Sequence, residues 1–286
     1  MAGTTGSQGA AGSNGRYKSE TEFEIEGRWR EKLLEGASAE DFQRAYDELH
    51  AEFLQRQDGE GEIYAEVNPR SSVDDRIRAV VLASIRPGSR VLEVGTGDGE
   101  TAYLLAQQGN HVLSTDVSLL ALEKARARWG GQDGLDLRYV FGDARALEAP
   151  DASYDYVVSE NLVEHISLAD MRRHLAEAQR VLKPGGCYLL YTPSRLWSGR
   201  VSAGFHLHNY TLGELSRLLR EYGFCVAWVE PRILHRLGKL WHIRGAGLWL
   251  ACAWEALLGL LRVHAWPASL KARIIPSIMV CAQKPD

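Results

Sequence analysis

Residues 91–99 read VLEVGTGDG, and this stretch constrains the fold more than any other part of the chain. An apolar run with β-branched valines leads into the alternating glycines Gly95, Gly97 and Gly99, and residues 101–108 then have a helix-forming composition. Valine favours strands, whereas glycine permits tight turns and the close approach of a ligand. The stretch therefore predicts strand, turn and helix of an α/β fold, with a ligand held by backbone N–H groups at the carboxyl end of the strand.

The spacing of these glycines distinguishes between kinds of nucleotide site. A dinucleotide fingerprint reads G-x-G-x-x-G and would require glycine at position 100, where the chain has Glu100. The pattern is instead acidic-x-Gly-x-Gly-x-Gly, with Glu93 as the acid. The sequence thus disfavours a nicotinamide-dependent dehydrogenase.

Carboxylates follow the next two predicted strands. Asp116 ends the strand predicted over residues 111–116, and Asp143 follows the strand predicted over residues 137–141. Both oxygens of a carboxylate accept hydrogen bonds, so Asp116, about twenty residues beyond the glycine loop, suits the two hydroxyls of a ribose. Two structural explanations stay open: Asp116 also lies at the N-terminus of the helix predicted from Ser118, and Asp143 also fits an ordinary turn.

Several motifs in one order resemble the class I S-adenosylmethionine (SAM)-dependent methyltransferases, above all the ubiquinone-type and small-molecule enzymes. They include the glycine loop, the acid after the second strand, VEHI at residues 163–166 and RVLKPGG at residues 180–186. The resemblance extends over about residues 72–229. It implies a Rossmann-like α/β sheet of seven strands with an antiparallel last strand, SAM as the cofactor and S-adenosylhomocysteine as the product.

The resemblance also implies where the cofactor is bound. The glycine loop would lie against the methionine part, Asp116 would accept from the ribose hydroxyls, and Asp143 would read the adenine. Residues at the end of the fourth strand would face the transferable methyl group. The cofactor-binding residues predicted in this way are Glu93, Gly95, Thr96, Gly97, Asp116, Val117, Asp143, Ala144, Ser159 and Glu160.

Histidines near the ends of the fourth and fifth strands are candidates for a general base. Methyl transfer from an activated sulfonium mainly needs alignment and exclusion of water, with a base when the acceptor is a hydroxyl. Imidazole titrates near neutral pH, which makes His206 and His208 candidates ahead of His165, and Tyr210 could position the acceptor. A packing or capping role is open for each histidine.

A metal ion is a further possibility that the resemblance raises. Glu164, His165 and a downstream histidine are similar to the Glu-x-x-Glu-His…His ligands of some ubiquinone-type and small-RNA enzymes, but Asn161 stands where those enzymes have the first glutamate. Loss of an anionic ligand weakens a divalent site, so the sequence predicts no metal.

The chain divides into three predicted parts. Residues 1–15 are rich in Gly, Ser, Ala and Thr and predict a disordered tail, residues 16–70 a helical N-terminal cap, and residues 71–286 the methyltransferase domain. Capping boxes are predicted at Ser38/Asp41, Ser72/Asp75 and Thr211/Glu214, and Ser167 is predicted to cap another helix. In similar enzymes such a cap closes over the cofactor, and Tyr64 and Arg70 could line the entrance.

An insertion over residues 231–272 separates strands six and seven. It holds Trp241, Trp249, Trp254 and Trp266, and one helical face is predicted from Leu250, Trp254, Leu257, Leu258 and Leu261. Its charged residues bound or interrupt the apolar run, which argues against a membrane span. Three alternatives stay open: a lid or a homodimer contact, an interfacial membrane helix, and internal core.

The overall composition limits the partners. The formal net charge of −4 gives no basic field for nucleic acid, and the four cysteines are scattered without a C-x-x-C pair, which fits a reducing cytoplasm. No signal peptide is visible, because residues 1–15 lack an apolar segment.

The predicted function is SAM-dependent methylation of a small, apolar or lipid-like acceptor, at oxygen first and at nitrogen or carbon next. A non-catalytic SAM-binding protein and a membrane-surface binding protein are the alternatives.

Overall fold

A computed structural model describes residues 20–59, 74–198, 206–230, 245–262 and 278–286. The predicted tail over residues 1–15, the capping residue Ser72, and the entrance residues Tyr64 and Arg70 lie outside the described residues.

Seven strands form one mixed sheet, and its order confirms the predicted fold class. The order is β3-β2-β1-β4-β5-β7-β6, and β7 is antiparallel to both of its neighbours. The strands are β1 Arg90–Val94, β2 His111–Asp116, β3 Leu137–Phe141, β4 Tyr154–Glu160, β5 Leu182–Thr192, β6 Cys225–Glu230 and β7 Ile278–Gln283. The carboxyl ends of β1, β2, β4 and β5 consequently meet at one edge of the sheet, where α/β proteins bind ligands.

Helices pack on both faces of this sheet. They are α1 Glu20–Leu34, α2 Ala39–Gly59, α3 Asp74–Ser84, α4 Glu100–Gln107, α5 Leu119–Trp129, α6 Leu168–Val181, α7 Arg195–Ser198, α8 Leu212–Glu221 and α9 Ala246–Leu260. A short 3₁₀ turn, Val163–His165, follows β4. Successive strand residues are buried on opposite sides: Val91 and Leu189 lie in one cluster, Leu92 and Leu190 in the other. This explains the nearly continuous apolar sequences of the parallel strands.

The helix starts predicted at Ser38, Ser167 and Thr211 are confirmed by their side-chain hydrogen bonds. The Asp41 amide donates to Ser38 Oγ, and the Ser38 amide donates to Asp41 Oδ2, both at 3.1 Å. Two helices, α1 and α2, form the described part of the predicted helical cap, and Gly36, with a left-handed φ of +107°, lies between them. The caps at Ser167 and Thr211 form as predicted, accepting from the amides of Asp170 and Glu214.

The start of β5 differs from the prediction. The lysine, proline and glycines after α6 predict a strand from Cys187, but the strand begins at Leu182. Leu182 pairs with Tyr154 and Cys187 pairs with Tyr156, so the residues between them form an irregularity within the ladder. The turn-forming residues 183–186 thus lie within β5, as an interruption of its pairing with β4.

Candidate functional site

The glycine loop is fastened to the end of β2. The amides of Gly95 and Thr96 donate to the Thr115 carbonyl oxygen at 2.8 and 3.2 Å. The Gly97 amide donates to Asp116 Oδ2 at 3.2 Å. Gly95 and Gly97 have φ values of +88° and +54°, which L-residues with side chains rarely adopt. The predicted loop and the predicted ribose acid are thus joined directly.

Glu93 lies beneath the loop and not on its surface. Its carboxylate is buried and accepts a hydrogen bond from Ser114 Oγ, which is 2.7 Å from Thr96 Oγ1. Burial raises the pKa of Glu93 well above its usual range, although the bond from Ser114 opposes this rise. In this position Glu93 supports the loop through Ser114.

Asp116 is half-buried and keeps hydrogen-bonding capacity. Oδ1 accepts from the Ser118 amide at 2.9 Å and Oδ2 accepts from the Gly97 amide at 3.2 Å. Burial raises the pKa of Asp116, and the backbone hydrogen bonds oppose this rise. A carboxylate offers about four lone-pair positions, so two protein bonds leave room for a diol. Val117 is half-buried and packs against the hydrophobic core.

Asp143 is held by Arg145. The guanidinium donates to both carboxylate oxygens, with Nε 2.9 Å from Oδ1 and Nη2 2.7 Å from Oδ2. Burial alone would raise the pKa of Asp143, but the hydrogen bonds from Arg145 outweigh it and the pKa is lowered. Arg145 also donates to the Ala37 carbonyl oxygen at 2.6 Å, and its guanidinium lies 4.4 Å from the centre of the Phe42 ring. Adenine contact by Asp143 stays a prediction, because much of its capacity is used by Arg145.

The last two residues of β4 have different surroundings, because Ser159 faces the core and Glu160 lies at the end of the strand. Ser159 Oγ is buried 2.7 Å from Tyr188 Oη, which is 2.7 Å from His174 Nε2. The His174 Nδ1 atom lies 3.0 Å from the carbonyl oxygen of Ala144. The Ser159 side chain therefore belongs to a buried polar network and does not face the sheet edge, whereas Glu160 is half-buried at the strand end. The role of Ser159 as a cofactor contact is not supported by its hydroxyl.

Two of the candidate histidines come together after β4 and β5. The rings of His165 and His206 are perpendicular, with centres 4.9 Å apart. Ligand-type atoms of Glu164, His165 and His206 all lie within 4.8 Å of one another. Glu164 is buried, accepts from Thr192 Oγ1 at 2.9 Å, and has its pKa raised to about 7 by burial. We refer to these three residues as the His165 cluster.

His208 and Tyr210 have other surroundings. The Nε2 atom of His208 is 2.9 Å from Glu214 Oε1, and Arg195 Nη1 is 3.0 Å from Glu214 Oε2. Tyr210 is fully buried, and burial raises the pKa of its hydroxyl. An enclosed tyrosine offers no surface to an acceptor, and neither residue belongs to the His165 cluster. The sequence could not separate His206 from His208, since both occupy the same segment.

Comparisons with known proteins agree with this geometry. The methyltransferase-domain family matches residues 91–186. A methyltransferase of Mycobacterium bovis, described as uncharacterised, is 30% identical over 187 residues, which cover 62% of this chain and 86% of that protein. The chain belongs to the class I SAM-dependent methyltransferase family. A probable SAM-dependent methyltransferase of Mycolicibacterium smegmatis is 36% identical over 141 residues, which cover 48% of this chain and 52% of that protein. The match thus spans about half the length of that relative.

Solved structures share the fold of this methyltransferase. A phosphoethanolamine N-methyltransferase of Haemonchus contortus in complex with SAM has a TM-score of 0.52, with 22% identity over 74% of this chain and 53% of that one. A (4+2)-cyclase, SpnF, has a TM-score of 0.53, with 23% identity over 74% of this chain and 80% of that one. Because a cyclase and a methyltransferase have this fold in common, the fold does not by itself establish the reaction.

The residues at the sheet edge fit SAM. An ideal Cβ on Gly97 would meet no atom within 4 Å, so the exposed side of the loop is open for a ligand. Asp116 supplies a carboxylate beside that opening, and the family's cofactor carries a ribose diol that a carboxylate binds well. The open space at Gly97 and the remaining acceptor capacity of Asp116 are compatible with this cofactor, and its contacts with both residues stay a prediction.

The N-terminal helices contribute contacts that the sequence reasoning did not find. Asp47 Oδ1 on α2 accepts from Ser118 Oγ at 2.6 Å and from the Leu120 amide at 3.1 Å, at the N-terminus of α5. One turn along α2, burial lowers the pKa of His50, while the neighbouring charge of Asp116 opposes this fall. Asp47 and His50 thus bring the cap next to the predicted ribose acid.

The same cap also reaches the His165 cluster. Arg30 Nη1 on α1 donates to the His206 carbonyl oxygen at 3.0 Å. The Tyr46 ring on α2 lies edge-on to His165, with ring centres 5.9 Å apart. Contacts from α1 and α2 therefore extend from the glycine-loop side of the sheet edge to the histidines.

We expect Asp47→Ala to lower the free energy of unfolding of this methyltransferase by about 1–2 kcal/mol, the cost of losing an acceptor at a helix start. The dissociation constant for SAM should rise several-fold, since Ser118 also donates to Asp116. Urea denaturation and calorimetry measure the two effects. Glu40→Ala is the control, because Glu40 is an exposed acid on α2 that forms an ion pair with Arg44 of the same helix, and it should change neither quantity appreciably. Equal effects of both substitutions would contradict the role given to Asp47.

Proposed function

We propose that this methyltransferase transfers the methyl group of SAM to a small, apolar acceptor, with oxygen as the favoured acceptor atom. The observation that carries the proposal is the junction of the glycine loop and Asp116, through the Gly97 amide, at the edge where the His165 cluster also lies. When bound, SAM supplies a methyl group that is already activated on a sulfonium, so the protein need not generate a strong electrophile.

The residues of the chain would bind the cofactor, remove a proton from the acceptor and exclude water. Asp116 would hold the ribose hydroxyls, and the loop amides would orient the methionine part of the cofactor. His206 or His165 would take the proton of an acceptor hydroxyl, because both imidazoles lie at the end of the strands that should face the methyl group. The contacts of Arg30 and Tyr46 support a role for the cap in excluding water from this place.

A metal-assisted variant is the second candidate, and the geometry of the His165 cluster favours it. One carboxylate and two imidazoles with ligand atoms within 4.8 Å suit a divalent cation. Such an ion would be held by Glu164, His165 and His206 and would lower the pKa of an acceptor hydroxyl. The sequence prediction of no metal stays a prediction.

The experiment that tests the function measures S-adenosylhomocysteine by mass spectrometry after incubation of the full chain with SAM and a panel of polar and apolar acceptors. Turnover of an apolar hydroxyl compound supports the proposal. Binding of SAM without product from any acceptor would favour the non-catalytic alternative, and turnover of highly charged acceptors alone would contradict the apolar acceptor.

His206→Ala should lower kcat at least about 100-fold if its imidazole is the base, with the affinity for SAM unchanged. His111→Ala is the control, since His111 is an exposed histidine at the start of β2, away from the carboxyl edge. EDTA separates the two mechanisms. Unchanged turnover of the native chain in EDTA supports the base, whereas a loss that added divalent cation restores supports the metal.

A cytoplasmic location is part of the same proposal. It is supported by the scattered cysteines Cys187, Cys225, Cys252 and Cys281, all of which are free thiols in the structure.

A further inference from the structure

The helix α9 presents large apolar side chains to solvent. Trp249 is 74% exposed, Leu250 is 73% exposed and Leu260 is 82% exposed. Trp254 and Leu257 are each 44% exposed on the same helix. We call these five residues the α9 apolar face. A row of exposed residues of this size is uncommon on a soluble protein and marks an interaction surface.

The polarity of α9 is the reverse of that of an ordinary surface helix. Its only acid, Glu255, is buried, and Glu255 Oε2 accepts from the Gly213 amide at the start of α8 at 3.2 Å. Leu248 and Leu258 are also buried. The predicted face therefore needs a correction, because Leu258 points inward while Leu250 points outward. The helix is fixed to the protein through Glu255, and its outer side is left apolar.

The charge of the surrounding sequence indicates what covers this face. Residues 231–273 contain one acidic residue, Glu255. The same range contains seven lysine and arginine residues: Arg232, Arg236, Lys239, Arg244, Arg262, Lys271 and Arg273. The whole chain has a net charge of −4, so this excess of positive charge is local. Tryptophan and leucine flanked by lysine and arginine form the composition of helices that lie in the interface of anionic membranes.

We propose that the α9 apolar face docks on an anionic lipid bilayer, with α9 lying in the plane of the interface. The basic residues next to α9 in the sequence favour an anionic surface over a second copy of the chain, which would carry the same charges. The fifteen residues of α9 span about 22 Å, less than the hydrocarbon thickness of a bilayer. Among the described residues no helix is both long enough and apolar enough to cross a membrane.

The position of α9 connects this surface with the proposed reaction. Gly259 lies against Leu196 of α7, and the neighbouring Arg195 amide donates to the Tyr210 carbonyl oxygen at 2.7 Å. The docked helix is thus joined to the segment that carries His206. An apolar acceptor dissolved in the bilayer could reach the site from this side, a consequence that rests on the proposed function, whereas the docking itself does not.

The test is flotation of the full chain with vesicles of phosphatidylcholine alone and of phosphatidylcholine mixed with phosphatidylglycerol. We expect association with the anionic vesicles, weakened by added salt. The double substitution Trp249→Ser/Leu260→Ser should reduce the bound fraction at least about tenfold, since both exposed side chains would insert. Leu34→Ser is the matched control, because Leu34 is a half-exposed leucine at the end of α1, and it should bind as the native chain does.

Two further measurements distinguish loss of membrane docking from loss of the cofactor site and from dimerisation. Calorimetry with SAM shows whether each variant retains a folded cofactor site, so failure to dock is separable from failure of the proposed function. Light scattering reports the oligomeric state. Absence of binding to anionic vesicles, equal binding by the double variant, or a dimer that the double substitution dissociates would each overturn the proposal.

Discussion

Replacing Asp116 by Asn should weaken SAM binding at least about 100-fold. A hydrogen bond to a charged group contributes about 1.5–3 kcal/mol, so two bonds from a ribose diol to the carboxylate account for about 3 kcal/mol or more. Asparagine keeps the size of the side chain but has one acceptor oxygen and an amide that donates. Its NH₂ group would also oppose the amide of Gly97 or Ser118, which now donate to the two carboxylate oxygens. Isothermal calorimetry with SAM measures the change.

Asp136→Asn is the control for this experiment. Asp136 is an exposed acid paired with His111, and it precedes β3 at the opposite edge of the sheet. Its substitution should leave the affinity unchanged, and circular dichroism should show both variants folded at the temperature of the titration. An affinity of Asp116→Asn within about twofold of the native value would mean that Asp116 serves only to accept from the Gly97 and Ser118 amides.

The parts of the site that could be predicted from the sequence are those whose conformation or position depends on residues close to them in the chain. The glycine loop is recognisable by its alternating glycines after an apolar strand, and all three of these glycines adopt left-handed φ values. Asp116 follows its strand directly, and parallel strands bring such residues to one edge whatever the details of the helices. The strand order follows from the same motifs, because the resemblance that they carry includes the topology. Local pattern and global fold agree at these places, which makes them predictable.

The contacts of the cap could not be predicted in the same way. Asp47 bonds Ser118 across 71 positions, and Arg145 bonds the Ala37 carbonyl oxygen across 108 positions. Neither aspartate nor arginine carries a local signal for a partner so distant in sequence, and each looks like an ordinary exposed charge on a helix or turn. Similarly, Ser159 stands among edge residues in the sequence, but its hydroxyl points into the core.

For the helix α9, the sequence does not predict which side faces the protein. Its periodicity predicts which residues share a side, but hydrophobic residues occur all around it, and the pattern then does not say which side faces the protein. The structure resolves this through one charge: Glu255 is bonded to the start of α8, which turns Leu258 inward and leaves Leu250 outside. The buried side of α9 is thus marked by the contacts of Glu255 and Leu258 in the folded chain and not by the hydrophobic pattern of the sequence.

Gly99→Ala should lower the free energy of unfolding by about 3 kcal/mol. Gly99 has a left-handed φ of +76°, which alone costs a residue with a side chain about 1–2 kcal/mol. A Cβ would also lie 2.6 Å from Ala125 Cβ and 3.1 Å from both Trp129 Cδ1 and Tyr139 Cε1, and overpacking of this kind costs about 1–3 kcal/mol. Urea denaturation measures the sum.

Gly109→Ala separates the cost of backbone strain from the cost of overpacking. Gly109 has a similar φ of +83°, but a Cβ there would meet no atom within 4 Å, so this variant should lose only about 1 kcal/mol. Adding Ala125→Gly to Gly99→Ala removes the shortest contact, and the pair should be less destabilising than the sum of the single substitutions. Equal losses for Gly99→Ala and Gly109→Ala, or strict additivity with Ala125→Gly, would show that backbone strain alone requires the last glycine of the loop. The expected coupling would instead show that this glycine is needed for the close packing of the loop against α5, the helix whose N-terminus supports Asp116 through the Ser118 amide.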